Sequence, residues 1–344
     1  MNKIAFSLAL AVFFTHPFFS QDAQWNEKWQ KKPGQKSSIS EKIVERNYKP
    51  VSFSWKKGSA SFEIGTGVQS ITAERSVQNF EMNAYETTYE LWYEVLTKAR
   101  KLGYNFQNPG QEGSMGRRGK APKPNLAGQS VTNISWYDAI VWCNAFSELS
   151  NLTPCYTYKG QVIRDSSDTS ACDLATCNWN ANGYRLPTEA EWEFASRLNK
   201  NPETGENFMN SGNTISGQLQ FSTEEGPDLV AWTSDNTTRS MTVGTAGTVF
   251  QEDAPPAMGS GKPNESGIFD MSGNMMEYCW DWFADYTLQQ GTVAAGPEFG
   301  SKRISRGGSW SIYTPFYYCA DRYSYDPNEY YNYMGFRLAK KGEL

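Results

Sequence analysis

From Asn199 to Leu344 no segment repeats apolar residues at helical spacing. The chain instead runs through short aromatic stretches set among Gly, Asn, Ser and Asp, which predict strands and turns: Val230-Ala231-Trp232, Gly267-Ile268-Phe269, Tyr278-Cys279-Trp280, Arg306 to Trp310 and Gly335 to Leu338. Ladders this short cannot satisfy so much irregular backbone. Side chains, and in places a metal, must supply the remaining tie-points. Helices belong upstream. Thr87-x-x-Glu90 predicts a capping box with Leu91, Trp92, Val95, Leu96 and Ala99 on one face. Ser135 with Asp138 opens a second helix whose stripe is Trp136, Ala139, Ile140, Cys143 and Phe146, and Thr188 with Glu191 opens a third. Phe53, Trp55, Phe62 and Ile64 predict strands around a Lys-Gly turn, and residues 105–130 a long surface loop. The fold class is α+β, loop-rich with few helices.

Met1 to Ser20, with Lys3 ahead of an apolar run from Ile4 to Phe14, has the layout of a secretory signal peptide, so the protein is expected to be exported, secreted or held at the cell surface. The only histidine, His16, lies inside that segment, so the processed chain would hold no histidine for a Ser-His, Cys-His or His-zinc mechanism. Loss of Lys3 would move the net charge from −5 to −6. A chain that acidic offers no field for phosphate backbones, which argues against nucleic acid as a partner. No later run of 18 apolar residues predicts a transmembrane span, and no cysteine near the end of the signal supports a lipid anchor. Residues 21–50 read as a polar N-terminal extension and 51–340 as the folded domain. Six cysteines in an exported chain make disulfides an expectation; Cys155 with Cys177 is the favoured pair, while Cys143 faces a helix core.

Five ordered landmarks carry a family resemblance: Val131 to Ala139 (VTNISWYDA), Gly183 to Glu193 (GYRLPTEAEWE), Gly267 to Tyr278 (GIFDMSGNMMEY), Arg306 to Trp310 (RGGSW) and Gly335 to Leu338 (GFRL). The sequence resembles the formylglycine-generating enzyme, or sulfatase-modifying factor, family. That resemblance implies a C-type-lectin-type fold elaborated with long loops, and either an oxidoreductase converting cysteine to formylglycine or a ligand-binding relative. The enzymes' reactive cysteine pair follows the Gly-Gly-Ser landmark. Here residues 311–318 contain no cysteine and Cys319 matches only a later one, so the expectation is a protein that is not an enzyme. The family's calcium loop implies carbonyls of Ser272, Gly273 and Met275 with the Glu277 carboxylate as calcium ligands; no other cofactor is expected. Arg185, Glu189, Glu191 and Trp192 read as a helix start that ties loops together. Asp326-Pro327-Asn328 is a faint match to the tripeptides of sugar-binding lectins, and a fixed-specificity carbohydrate binder is the further alternative.

Between the last two landmarks stand eight of the chain's 19 tyrosines, within residues 311–333. The remaining 11 are spread over the rest of the chain, an order of magnitude more thinly, so a core alone does not explain the cluster. Tyr, Ser, Asn and Asp offer large amphipathic contact area at low rotamer cost, as in antibody paratopes. The candidate ligand-binding residues are Ser311, Ile312, Tyr313, Thr314, Phe316, Tyr317, Tyr318, Asp321, Tyr323, Tyr325, Asn328, Tyr330, Tyr331, Asn332 and Tyr333. Every residue from Ser311 to Tyr318 is one that an asparagine codon can become when only its adenines change. The segment thus resembles the variable region of diversity-generating retroelement proteins, the treponemal variable proteins being the nearest likeness, and this implies a protein or cell-surface macromolecule as partner.

Overall fold

The computed structural model describes residues 39–343 apart from 66–71, 127, 202, 219–228, 252, 287–294 and 314–316. Five helices stand in the first two-thirds of the described chain: α1 (Glu41–Asn47), α2 (Tyr89–Ala99), α3 (Trp136–Leu149), α4 (Thr169–Asp173) and α5 (Glu189–Arg197). The strands are β1 (Pro50–Phe53), β2 (Ser59–Ile64), β3 (Ala73–Gln78), β4 (Phe80–Asn83), β5 (Gln111–Glu112), β6 (Val131–Thr132), β7 (Tyr156–Tyr158), β8 (Gln161–Val162), β9 (Thr176–Cys177), β10 (Leu198–Lys200), β11 (Asn207–Met209), β12 (Met276–Trp282), β13 (Arg303–Arg306), β14 (Arg322–Tyr325), β15 (Met334–Gly335) and β16 (Ala339–Lys341). They form several small sheets, of which the largest has the order β14-β13-β12-β15 with β12 and β15 parallel. A second sheet, β1-β4-β16, ties the two ends of the described fold together.

Capping decides where the helices begin. Ser135 and Asp138 form a reciprocal capping box on α3, as do Thr188 and Glu191 on α5. On α2 the cap is Thr88, one residue later than the sequence suggests, and its hydroxyl accepts the Leu91 N–H at 3.3 Å. The reason lies in α1, because Arg46 and Asn47 take the Glu90 carboxylate that would have closed the box. The folded unit therefore starts ahead of Val51. Ile39 and Asn47 are buried, which moves the expected boundary of the polar extension toward the N-terminus.

The later aromatic runs are buried or half-buried, but fewer of them are strands. Residues 230–232 and 267–269 are loop. Asn236 Nδ2 donates to the Ala231 carbonyl at 2.9 Å, and Asn264 Oδ1 accepts the Ile268 N–H at 3.0 Å, so side-chain amides replace the missing ladder. Two large hydrophobic clusters meet around β12. One gathers α2, α3, Tyr156 and Phe336, and the other gathers β1–β4 with Trp192 and Phe194 of α5.

Candidate functional site: a tyrosine-rich face on a buried ion-pair frame

Arg306, fully buried at the end of β13, fixes the start of the tyrosine-rich segment. Its guanidinium pairs with Glu193, stands 3.1 Å from Glu189, and donates to the carbonyls of Cys319 (2.8 Å) and Asp321 (3.0 Å). Glu193 in turn holds Arg197 at 2.6 Å, and Glu189 holds Arg322 of β14 with both oxygens, at 2.6 and 2.8 Å. Burial alone would raise the Glu189 carboxyl, but Arg322 and Arg306 hold it below its ordinary range. At the far end of the segment Arg337 grips Glu277 through both oxygens, at 2.7 and 2.6 Å. Arg303 is sandwiched between the rings of Trp136 and Trp282, 3.6 and 3.3 Å from their centroids. Residues 307–333 thus hang between fixed charged posts.

Within that span the tyrosines divide into separate places. Tyr331 stacks on Tyr333 with centroids 4.9 Å apart and lies 5.5 Å from Tyr325. Tyr323, Tyr325, Tyr331, Asn332 and Tyr333 are half-buried, with the four rings packed on the main core, whereas Tyr330 is 42% exposed and Asn328 is exposed. Partial burial raises the Tyr323, Tyr325 and Tyr333 phenols, so they remain neutral hydrogen-bonding groups at physiological pH. Ser311 and Tyr313, the latter 59% exposed, belong to a second patch joined to the 233–240 loop by Ser234 N–H donating to the Ile312 carbonyl at 3.1 Å; Ile312 itself leans into the core. Thr314 and Phe316 lie outside the described residues.

Tyr317 is corrected by the structure. It is fully buried against Ile215, Val230 and Ala231, and neighbouring Tyr318 packs half-buried on the same cluster. Cys319 N–H and Ala320 N–H donate to the carbonyls of Thr214 and Gly212, both at 2.9 Å, and Asp321 accepts the Tyr318 N–H at 2.8 Å. This part of the segment is core seam rather than contact surface.

The Glu277 carboxylate expected to hold calcium is engaged by other partners. Besides the two bonds from Arg337, Glu277 accepts the Trp192 indole N–H at 2.9 Å, so the carboxylate is saturated and beside a fixed cation. Ser272 Oγ accepts the Ser216 N–H, and the Gly273 and Met275 N–H groups are turned to Gly307 and Glu86. With its one carboxylate neutralised by a guanidinium, this donor set does not fit a hard divalent ion. Among the described residues no cluster of acidic, cysteine or histidine side chains is arranged to hold a metal. Asp326 and Asn328 are exposed while Pro327 is buried, its carbonyl receiving the Trp136 N–H at 3.1 Å.

Sequence reasoning missed the loop that borders the face. Arg118 lies over the Tyr330 ring at 4.7 Å and donates to Asn108 Oδ1 at 3.0 Å, while Asn133 N–H donates to the Tyr331 carbonyl at 2.9 Å. Glu112, Met115 and Gly116 of the same loop, with Arg239 to Thr242 and Phe250, line a cavity of roughly 380 Å³. The Pro- and Gly-rich composition of residues 105–130 announces a loop but carries no signal of its neighbours.

The architecture is that of a C-type-lectin-like domain, and the chain belongs to the sulfatase-modifying factor enzyme 1-like domain family, whose model matches residues 46–342. It is 31% identical over 241 residues to the chaperone protein LppX of Paenibacillus barcinonensis, covering 68% of this chain and 70% of that one. It is 32% identical to the formylglycine-generating enzyme of Streptomyces coelicolor, over 47% of this chain and 48% of the enzyme, about half of either. Among solved structures, Treponema denticola variable protein 1 superposes with a TM-score of 0.62 at 26% identity, covering 86% of this chain and 95% of that one. No helix among the described residues is long and apolar enough to cross a membrane.

Proposed function

We propose that this is a non-catalytic, exported ligand-binding protein whose tyrosine-rich segment, diversified by a retroelement, binds a protein or cell-surface macromolecule. One observation carries the reading. A segment dense in tyrosine, anchored at both ends by buried arginines, presents Tyr313 and Tyr330 to solvent, 59% and 42% exposed. The similarity to a treponemal variable protein supports it. So does the chemistry of the lone cysteine in this region: Cys319 is buried, its thiol is pushed up to about 12 by burial, and it points at the Ser196 carbonyl. Such a thiol is a poor nucleophile or metal ligand.

The test compares wild type with the combined Tyr313→Ala and Tyr330→Ala variant on a displayed library of extracellular proteins. The reading expects ligands that wild type retains and the variant loses, with thermal unfolding almost unchanged. A variant that unfolds early would make the tyrosines structural, and an absence of any differential ligand would sink the proposal. The family's enzymes motivate a second measurement, cysteine-to-aldehyde conversion on a sulfatase-type peptide with copper and oxygen. Background turnover is expected, and turnover that depends on Cys319 would restore the oxidase.

A further inference from the structure

Outside the tyrosine-rich segment, the chain between α3 and α5 brings two cysteines onto adjacent segments. Cys155 immediately precedes β7, and Cys177 ends β9 opposite Tyr156 in the antiparallel register. Asn178 N–H donates to the Cys155 carbonyl at 2.8 Å, which locks the two chain segments side by side. The pairing of Tyr156 with Cys177 and of Asn178 with Cys155 sets the two cysteines on adjacent segments. They differ in surroundings. Cys155 is 1% exposed and contacts the Gly183 carbonyl at 3.4 Å, whereas Cys177 is half-buried as a residue. The Arg185 guanidinium, held by Glu191 at 2.6 and 2.7 Å and lying over the Trp179 ring, is the cation beside the pair. The Cys177 S–H and Arg185 together draw the Cys155 thiol below its usual value, while burial and Cys155 push the Cys177 thiol up.

We infer that Cys155 and Cys177 are a dithiol that closes to a disulfide by two successive exchanges, with Cys177, the more exposed residue of the two, reacting first as the nucleophile and Cys155 resolving. In the first exchange the Cys177 thiolate attacks a small-molecule disulfide such as oxidised glutathione. A mixed disulfide forms at Cys177 and one glutathione thiolate leaves. In the second, the adjacent Cys155 thiolate attacks the Cys177 sulfur, the protein disulfide forms, and the second glutathione thiolate leaves. The two protons released by the protein thiols end on the two glutathiones, and the two electrons lost by the protein reduce the oxidant. The bridge closes the segment 155–177, which holds β7, β8, α4 and β9, and restricts the unfolded chain accordingly. Because Cys177 is the poor thiolate, the first exchange sets the rate, and oxidation accelerates as pH rises above neutrality. This inference does not depend on the ligand reading.

The experiment exposes the full-length protein to oxidised glutathione, then measures free thiols after denaturation, maps disulfide-linked peptides and records the melting temperature. Two of the six thiols are expected to disappear, with the link mapped to Cys155 and Cys177 and the melting temperature raised by about 5 °C. Cys155→Ser should stop at the first exchange and carry one glutathionyl group on Cys177. Cys177→Ser should stay unmodified at Cys155. Should Cys155→Ser fail to fold, acid quenching of wild type during oxidation captures the same mixed disulfide at Cys177. Retention of all six thiols, first attack at Cys155, or a bridge from Cys155 to the buried Cys143 would each overturn the inference.

Discussion

At the scale of single residues, burial separates tyrosines that the sequence presents as equivalent. Tyr317→Ala removes a fully buried ring and is expected to cost about 3 to 5 kcal/mol in chemical denaturation, whereas Tyr330→Ala, at an exposed position, stays within about 0.5 kcal/mol. Equal costs would mean that the two sites are not distinguished by packing. A second residue-scale prediction concerns Asp270, buried near Glu86, Glu277 and Arg337. Burial raises its carboxyl to about 6, with Glu277 adding to the rise and the Gly244 N–H, 2.5 Å from one oxygen, opposing it. A carboxyl whose folded value lies above its unfolded value of about 3.9 favours folding while protonated, so its contribution is complete below about pH 4 and is lost as pH rises through about 6. Asp270→Asn keeps the acceptor and tolerates the positive φ of 55°. The variant should flatten the stability profile between pH 4 and 6 and exceed wild type at pH 8 by up to about 3 kcal/mol. A parallel profile would show that Asp270 titrates normally.

At the scale of elements, what holds the site is a chain of ion pairs rather than a continuous sheet. Arg337 and Glu277 join β12 to the chain beyond β15, and both side chains are fully buried. Replacing Arg337 with Met leaves Glu277 as a buried charge and should cost about 3 to 5 kcal/mol, whereas Arg337→Met combined with Glu277→Leu should recover most of that loss. A double variant as unstable as the single one would show that the pair contributes through geometry other than charge. Capping acts on a smaller scale. Ser135→Ala deletes the acceptor for the Asp138 N–H and a donor to its carboxylate, and a loss of about 1 kcal/mol is expected in denaturant unfolding.

At the scale of the whole molecule, a rigid frame under an exposed aromatic segment is what tolerance of variation requires. In sibling isolates, codon differences are expected to concentrate within 311–333 at template adenines, sparing Arg306, Gly307, Gly308, Trp310, Gly335, Phe336 and Arg337. Gly307 shows why, since its φ is +90° and a Cβ there would sit 3.1 Å from the Trp192 ring. The same logic places Tyr317 among the positions that should vary least, because its ring fills core volume. Substitutions scattered evenly along the gene would leave a binder of fixed specificity. The α+β class, the capping boxes of α3 and α5, the scarcity of helices among the described residues after Arg197 and the family landmarks were legible in the sequence, because each rests on local spacing or on short motifs. The division of the tyrosines into face and core, the saturation of Glu277 by Arg337, the inclusion of α1 in the fold and the partnership of Arg118 with Tyr330 were decided only by tertiary structure. Those outcomes depend on which distant segments meet, and residues 60 or 200 positions apart leave no local pattern that announces their contact.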